Sequence, residues 1–348
     1  MGIKDLRTFL KTKKVDCFYT VPLEKFGAKR IAIDSLNWYF CYLRAAYVTV
    51  LNRKRDIFEH ISDDEVYDRL VIEFLSFNNK LMENNITPVW IWDGVSKDNK
   101  GVTKVERRKK KKELAEQRDG LYNNLKKMNP LERPYELIIE LKKKMINSAD
   151  LRRIEELKEF SKEVGVCTIV AEDEAENLGS SLAVERIVAG VWSADTDTYP
   201  LGCPLVVKGF ETVDGKLCIN CVFTLKILQD LGLTHQEFRD FCILLGTDFN
   251  DRLDRIGPVK SFKLIEKYRC LEEVEKHTQH NLYALKYKEV RPQLASYKTI
   301  YNGVDDLFCN TMVNFGELKS KYSRYYNLGD FFNYMINLSK PQNIPKPK

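Results

Sequence analysis

The sequence of 348 residues lacks long apolar runs: no stretch approaches the ~20 consecutive apolar residues that a membrane-spanning helix needs. We therefore expect no membrane span. The opening residues, MGIKDLRTFLKTKK, contain no uninterrupted apolar run, which argues against a secretory signal. Leu6 stands where an N-myristoylation motif carries Ser or Thr, so that lipid anchor is not expected either.

Cysteines are present but do not form a recognisable metal-binding or disulfide pattern. The nine cysteines are dispersed, and the single close pair, Cys218 and Cys221, has no second CxxC partner. His277 and His280 lie too far along the chain to complete a compact zinc finger. An odd, scattered set of this kind is typical of reduced thiols in a cytosolic or nuclear protein.

Positive charge is concentrated in one segment. The chain carries a formal net charge of +6, and residues 100–118 hold nine Lys or Arg against three Glu, so that segment alone supplies 9 − 3 = +6. The remainder of the chain sums to zero. A local basic stripe favours contact with a polyanion such as nucleic acid.

Four short apolar runs, rich in β-branched and aromatic residues, each end in an acid: RIAIDS, TPVWIWDG, VCTIVAEDE and GVWSADTD. Segments of helical periodicity lie between them, as in the apolar positions Val66, Leu70, Phe74, Phe77 and Leu81. This alternation predicts an α/β fold with a mostly parallel central sheet and helices on both faces. In such sheets ligands bind beyond the carboxyl ends of the strands, which is where these acids fall.

The remaining segments suggest five regions. Residues 1–95 and 166–300 form the two parts of the sheet-forming region, and the charged stretch 96–165 reads as a helical insertion. Residues 235–270 predict two helices joined by a turn, with Pro258 at the first position of the second helix. A C-terminal segment covers 301–336, and residues 337–348, rich in proline, predict a flexible tail.

The acids at the strand and helix ends are the candidate chemical centre. One such acid alone is most often a helix cap or a surface charge. Together they would repel one another strongly unless cations were bound, and Mg²⁺ or Mn²⁺ is the natural counter-charge for clustered carboxylates. Two such ions can clamp the attacking and leaving oxygens of a phosphodiester. The set is Asp34, Asp93, Glu174, Glu176, Asp195, Asp197 and Asp248.

Two members of this set, Glu174 and Glu176, lie in a run of four carboxylates within residues 172–176. Glu174 and Glu176 are two positions apart and would diverge in mid-helix, so they can converge on one ion only where a helix begins. Asp173 as the cap, with Glu176 three residues later as its capping-box partner, fits that start. We therefore expect both a helix start and a metal site here.

These motifs, taken together, resemble the flap endonucleases of the structure-specific 5′ nuclease superfamily. The resemblance rests on MGIKDLRTFL, IAIDS, PVWIWDG, EDEAE, SADTDTYPLG and FCILLGTDF followed by IGPVKS, in order over residues 1 to 270 and more weakly to 332. It implies a PIN-like 5′ nuclease fold in which the insertion is a helical arch and residues 235–270 are a helix–two-turn–helix DNA-binding element. It also implies a 5′ flap endonuclease and 5′–3′ exonuclease of DNA replication and repair.

The resemblance assigns roles to individual residues. It implies one Mg²⁺ held mainly by Asp34, Asp93, Glu174 and Glu176 and a second held by Asp195, Asp197 and Asp248, with Mn²⁺ able to substitute. Lys100 and Arg107 would contact the scissile phosphate, where a positive group stabilises developing charge. A metal-activated water would leave a 5′-phosphate and a 3′-hydroxyl.

A further set would contact DNA without reading its sequence. Its members are Gly2, Phe40, Arg44, Lys104, Arg108, Lys111, Gly257, Lys260, Lys263 and Lys267. Two alternatives stay open: the basic run at 109–112 also suits a solvated helix or a nuclear import signal, and the lysine stripe after Gly257 also suits a solvated helix face.

The chain departs from the family pattern in its DNA-contacting residues. Arg255 replaces the first glycine of Gly-Ile-Gly in the turn before Gly257, where the family often binds a potassium ion. Phe40 replaces a stacking tyrosine, and Tyr47 replaces a basic residue for which Arg44 could substitute. These changes weaken the family-based expectation of a potassium site and of the usual DNA contacts.

Residues 325–332, YYNLGDFF, resemble a sliding-clamp-binding box. Leu328, Phe331 and Phe332 keep its spacing, but Tyr325 replaces the usual Gln. The alternative is a small apolar patch that closes the C-terminus.

Two rival functions remain at this point: a related 5′ exonuclease or bubble or junction nuclease, and a catalytically silent nucleic-acid-binding scaffold. We expect a monomer that binds branched DNA with a 5′ flap. The expected location is the nucleus, or alternatively the cytoplasm or a viral replication site.

Overall fold

A computed structural model describes residues 2–27, 29–94, 101–295, 315–325 and 328–339, with side chains outside the description at 101–108, 315, 328 and 336–339. Its centre is a seven-stranded sheet in the order β1-β7-β6-β5-β2-β3-β4. The strands are β1 Phe18–Pro22, β2 Arg30–Asp34, β3 Thr87–Trp92, β4 Thr168–Val170, β5 Val191–Trp192, β6 Leu205–Val213 and β7 Lys216–Phe223.

Five neighbouring strands of this sheet, β6, β5, β2, β3 and β4, are mutually parallel. The other two, β7 and β1, extend the sheet in antiparallel pairing. The four strands predicted from the sequence correspond to β2, β3, β4 and β5, and the mostly parallel sheet is confirmed. The strands β1, β6 and β7 have no counterpart in the sequence-based prediction.

Helices fill the connections between strands. In chain order they are α1 Leu6–Thr12, α2 Ser35–Arg53, α3 Asp63–Glu83, α4 Gly101–Lys127, α5 Tyr135–Ser148, α6 Ile154–Glu163, α7 Ala175–Val184, α8 Thr224–Leu231, α9 His235–Leu245, α10 Pro258–Tyr268, α11 Leu271–His277, α12 Tyr287–Gln293, α13 Phe315–Lys321 and α14 Leu328–Ser339. The predicted periodic segment is α3, and its five predicted apolar positions are all buried.

Both faces of the sheet are apolar because successive side chains of a strand point to opposite sides. In β2, Ile31 and Ile33 face one cluster, which α2, α3, α6 and α14 cover, whereas Ala32 faces the other. In β3, Trp90 faces the same cluster as Ile31 and Ile33, and Ile91 faces the same cluster as Ala32. Helices α1, α7, α9 and α10 cover the second face. Helices therefore lie on both faces, as the sequence predicts.

The charged stretch after β3 divides into two parts. Helices α4 and α5 pair as a hairpin that is tied to α2 by a separate small cluster of Leu51, Leu125, Leu141 and Met145. Helix α6 instead inserts Leu157 and Phe160 into the main cluster beside α3. The last helix of this stretch is therefore part of the crossover to β4.

The predicted helix pair at 235–270 is present as α9 and α10. Pro258 occupies the first turn of α10, as predicted, while Phe262 and Ile265 face the core. Helix α12 is tied to this pair through Arg291, which donates from Nε and Nη2 to both carboxylate oxygens of the buried Asp240 on α9, at 2.9 Å each. Helix α12 is thus anchored to α9 of this pair.

Two further sequence-based expectations concern the whole chain. Within the described ranges no helix is both long enough and apolar enough to cross a bilayer. The eight cysteines in those ranges are free thiols, mostly buried. Helix α14 extends to Ser339, three residues into the predicted tail, and residues 340–348 lie outside the described chain.

Candidate metal centre and nucleic-acid interface

The carboxyl ends of the parallel strands bring the predicted acids to one edge of the sheet. Asp34 ends β2, and Asp93 follows β3 directly. Glu176 lies in the first turn of α7, and Asp195 and Asp197 lie in the loop after β5, which we call the acid loop (residues 193–199). One carboxylate oxygen from each of Glu176, Asp195 and Asp197 lies within 4.8 Å of the others. This is the spacing of ligands around one ion.

Asp34 is joined to the acid loop through Ser193. The Ser193 hydroxyl donates to Asp34 Oδ2 at 2.9 Å and accepts from the Asp195 amide at 3.1 Å, while the Asn37 amide donates to Asp34 Oδ1 at 3.0 Å. Burial raises the pKa of Asp34 to about 7, and the charges of Asp93 and Asp195 act in the same direction against the hydrogen bonds from Asn37 and Ser193. Burial and the neighbouring carboxylates therefore favour the protonated form of Asp34.

The start of α7 differs from the prediction. The helix begins at Ala175 with Glu174 at the N-cap position, and the Glu174 side chain makes no capping hydrogen bond. Asp93, from the neighbouring strand, accepts from the Ala175 amide at 2.8 Å, whereas Asp173 accepts from the Asn177 side chain at 3.2 Å. The capping role assigned to Asp173 was therefore wrong, because a tertiary contact satisfies the first amide of the helix.

Gly2 approaches the acid loop so closely that no side chain fits there. Its φ is +90°, and a Cβ built on it would lie 1.9 Å from Asp195 Oδ1 and 2.6 Å from Thr196 Oγ1. The next residue fixes this approach, since the Ile3 amide donates to Thr196 Oγ1 at 2.8 Å. The N-terminal segment therefore packs directly against the loop that carries Asp195 and Asp197.

The sequence did not indicate a role for Lys208 on β6. Its Nζ donates to the carbonyl oxygens of Ser193 at 3.1 Å and Asp195 at 2.9 Å and lies 4.7 Å from the centre of the Tyr199 ring. Burial lowers the pKa of Lys208 to about 8, while the charge of Asp195 opposes that shift. Lys208 thus holds the backbone on which two predicted ligands sit. No motif in the sequence signals this, because the contact joins two adjacent strands.

The donor set fits a hard divalent cation. The close group consists of carboxylates alone, Asp197 is 2% exposed, and the pKa of Asp34 is raised first by burial and then by the charges of Asp93 and Asp195. Oxygen-only ligands at the edge of a sheet suit Mg²⁺ or Mn²⁺ better than zinc, which favours nitrogen and sulfur.

For two predicted ligands, Glu174 and Asp248, the structure gives no distance to this group. Glu174 immediately precedes α7 and is partly exposed. Asp248, also partly exposed, lies in the connection between α9 and α10. That connection is tied to the N-terminal segment by the hydrogen bond from the Lys4 amide to the Gly246 carbonyl at 3.0 Å. Their assignment as ligands stays a prediction.

The predicted catalytic cations fall on the least described part of the chain. Lys100 lies outside the described residues, and Arg107 has its backbone in α4 with its side chain outside the description. The same holds for Lys104 and Arg108. Lys111 is described, and its Nζ lies 2.8 Å from Asp150 Oδ1. For Lys111 the structure therefore supplies an intramolecular partner.

The predicted DNA contacts on α2 and α10 are exposed. Phe40 is 43% exposed with its ring edge-on to Tyr39, and Arg44, one turn later, is exposed. Tyr47, at the family's basic position, instead packs against the cluster under the α4–α5 hairpin. On α10 the three predicted lysines are all exposed: Lys260, Lys263 and Lys267.

Arg255 takes the backbone conformation that a glycine would take most easily. Its φ is +59°, in the left-handed region, and its side chain is 91% exposed. Gly257, two residues later, is extended and forms the N-cap of α10. The turn thus reaches α10 despite the substitution, with a strained non-glycine residue and one additional exposed positive charge.

The C-terminal box is buried. Phe331 is 0% exposed, Phe332 4% and Tyr325 3%, and all three belong to the cluster that α3 covers. Tyr325 also donates to Asp68 Oδ1 at 3.0 Å. The side chain of Leu328 lies outside the described atoms. The burial of both rings favours the alternative of an apolar patch that closes the C-terminus, and clamp binding through Phe331 and Phe332 stays a prediction.

Comparisons with known proteins agree with this arrangement. The model of the XPG N-terminal domain matches residues 1–114, and that of the XPG I-region matches residues 165–248. A probable RAD2-like endonuclease of Invertebrate iridescent virus 6 is 29% identical over 321 residues, covering 81% of this chain and 75% of that protein. Flap endonuclease 1 of Tetrahymena thermophila is 29% identical over 314 residues, covering 90% of this chain and 77% of that protein.

Solved structures show the same fold. Flap endonuclease-1 from Methanococcus jannaschii superposes with a TM-score of 0.61 at 21% identity, covering 92% of this chain and 96% of that one. Human GEN1 in complex with Holliday junction DNA superposes with a TM-score of 0.59 at 15% identity, covering 98% and 81%.

Proposed function

This chain belongs to the XPG and flap endonuclease family, and from that premise we propose that it is a structure-specific 5′ flap endonuclease that also trims 5′ ends. The observation that carries the proposal is the group of Glu176, Asp195 and Asp197, with Asp34 and Asp93 beside it, at the carboxyl edge of a parallel sheet. A scaffold without catalysis would have no need to keep such mutually repulsive acids together.

Each part of the chain would have a distinct role. When bound, two Mg²⁺ ions, or Mn²⁺ in their place, would activate water and offset negative charge at the scissile phosphate. The acids would hold the ions, while Gly2, Ser193 and Lys208 fix the position of the acid loop. Lys100 and Arg107 would contact the scissile phosphate.

The proposed substrate is branched DNA with a 5′ flap, bound by a monomer, in replication and repair. Exposed cations on α10 and the exposed face of Phe40 support backbone and base contact without sequence readout. A potassium ion at the turn near Arg255 is part of the proposal. A sliding clamp could use residues 325–332 only if α14 left α3. A nuclear location, or a viral replication site, is likewise proposed.

The acids are tested by comparing Asp195→Asn and Asp197→Asn with Glu172→Gln. Glu172 is exposed and lies in the same acidic run, so its variant controls for loss of one charge. With Mg²⁺ and a labelled 5′ flap, both Asn variants should cut about 10³-fold more slowly or worse, with flap binding in EDTA retained. Glu172→Gln should cut at the wild-type rate. If both Asn variants cut normally, the metal assignment is wrong.

The substrate is tested separately with 5′-flap, nicked, blunt, bubble and four-way DNA side by side. The 5′ flap should be cut fastest. A protein that cuts bubbles or four-way junctions fastest would support the related nucleases instead.

A further inference from the structure

A cavity of about 440 Å³ opens beside the acid loop, toward the β1 edge of the sheet. Its walls come from α1, β1 and the acid loop, and Lys208 of β6 and Asn220 of β7 also line it. We call it the Arg7 cavity, after the residue of α1 that lines it together with Lys11.

The charge of the Arg7 cavity is positive. Arg7, Lys11 and Lys208 line it, and its lining contains no carboxylate side chain. Acids lie just outside this lining: the Thr196 amide donates to Asp195 Oδ1 at 2.7 Å, the Tyr19 hydroxyl to Asp16 Oδ2 at 3.0 Å and the Thr20 hydroxyl to Glu211 Oε2 at 3.3 Å. Lys208 donates to two carbonyl oxygens, and its Nζ lies 4.7 Å from the centre of the Tyr199 ring. Converging cations of this kind favour an anion.

The cations on α1 are held on a rigid support. Leu6, Phe9 and Leu10 bury the other face of that helix in the core. Arg7 and Lys11 are one helical turn apart, so they lie on the same face of α1, and both are exposed. A planar guanidinium beside an ammonium suits a phosphate group, since Arg can bind two of its oxygens at once.

The position of the cavity relates it to the cleaved strand. Acids lie beyond β3, β2 and β5, and the cavity continues along the same sheet past β6 and β7 to β1. Strands are ~4.8 Å apart, so β1 at the far wall of the cavity lies roughly 15 Å from β5, the strand that the acid loop follows. At ~3.4 Å of rise per nucleotide, the far wall is about four nucleotides from that strand.

We propose that the Arg7 cavity binds an internal phosphate of the DNA backbone within about four nucleotides of the scissile bond, on the β1 side of the acids. The proposal rests on the proposed function, because it takes the DNA strand to lie across the acids. It adds a phosphate site formed by Arg7, Lys11 and Lys208. A bound strand would then be held on both sides of the reaction.

The test is a scan in which single phosphates of a 5′-flap DNA are replaced by neutral methylphosphonate, with affinity measured by fluorescence anisotropy in EDTA. The proteins are wild type, Arg7→Ala/Lys11→Ala, and the control Lys216→Ala/Lys226→Ala, which removes the same charge from exposed positions outside the cavity. Lys208 is left intact because it holds the acid loop.

One neutral position near the scissile bond should weaken wild-type and control binding roughly tenfold. Arg7→Ala/Lys11→Ala should bind unmodified DNA roughly tenfold more weakly and lose no further affinity at that position. The proposal is overturned if every neutral position costs this variant as much as wild type, or if its loss depends only on a 5′-terminal phosphate. Since no cleavage is measured, this result is independent of whether the protein cuts flaps.

Discussion

Replacing Gly2 with Ala tests how closely the N-terminal segment fits the acid loop. The new Cβ would lie 1.9 Å from Asp195 Oδ1, whereas real Cβ contacts essentially never fall below 3.0 Å, so Asp195 or the segment must move by at least 3.0 − 1.9 = 1.1 Å. A shift of about 1 Å in a catalytic group can cost about 10²-fold in rate. The φ of +90° adds strain of ~1–2 kcal/mol for a residue with a Cβ.

We therefore expect Gly2→Ala to lower single-turnover cleavage of a 5′ flap about 100-fold. Affinity for the flap in EDTA should change far less, because the damage lies at the acids. Single-turnover quench measurements with saturating protein separate these two effects.

The matched control is Gly120→Ala on α4, where an added Cβ meets nothing within 4 Å. It should leave the cleavage rate unchanged and, because alanine favours a helix, increase the free energy of unfolding by up to ~1 kcal/mol. A Gly2→Ala protein that cuts within twofold of wild type would refute the proposed contact between Gly2 and the acid loop.

Three further predictions concern stability, measured by thermal or denaturant unfolding. The folded state raises the pKa of Asp34 to about 7, above its unfolded value of 3.8, so the metal-free protein should lose stability as pH rises from 4 to 7. Mg²⁺ should therefore raise Tm more at pH 8 than at pH 5. An equal Mg²⁺ effect at both pH values would contradict this. Arg291→Met should cost ~3–5 kcal/mol by stranding the buried Asp240, whereas Arg152→Met, 86% exposed, should change stability by less than ~0.5 kcal/mol. Phe331→Ala should cost ~3–5 kcal/mol, and a cost below ~1 kcal/mol would mean that α14 is not packed as described.

The comparison of sequence and structure separates local from non-local information. Strands β2, β3 and β5 could be predicted because apolar runs and the acids at or after their ends are features of contiguous sequence. Helix α3 could be predicted for the same reason, from the period of its apolar positions.

The start of α7 could not be predicted. An N-cap rule looks for a partner a few residues away, but the carboxylate that accepts from the Ala175 amide belongs to Asp93, 82 positions earlier in the chain. The burial of Phe331 and Phe332 could not be predicted for a similar reason. The spacing of residues 325–332 does not show whether another helix, here α3, covers them.

The sequence alone pointed to the chemistry: it predicted a gathering of carboxylates, of which the structure brings Glu176, Asp195 and Asp197 together. That prediction depends on residue types and on the ends of strands. Only the tertiary structure decided how the acid loop is held, through Gly2 at the chain start, Ser193 against Asp34 and Lys208 from β6. Each of these contacts joins segments far apart in sequence, so its energy depends on the packed sheet and leaves no local pattern.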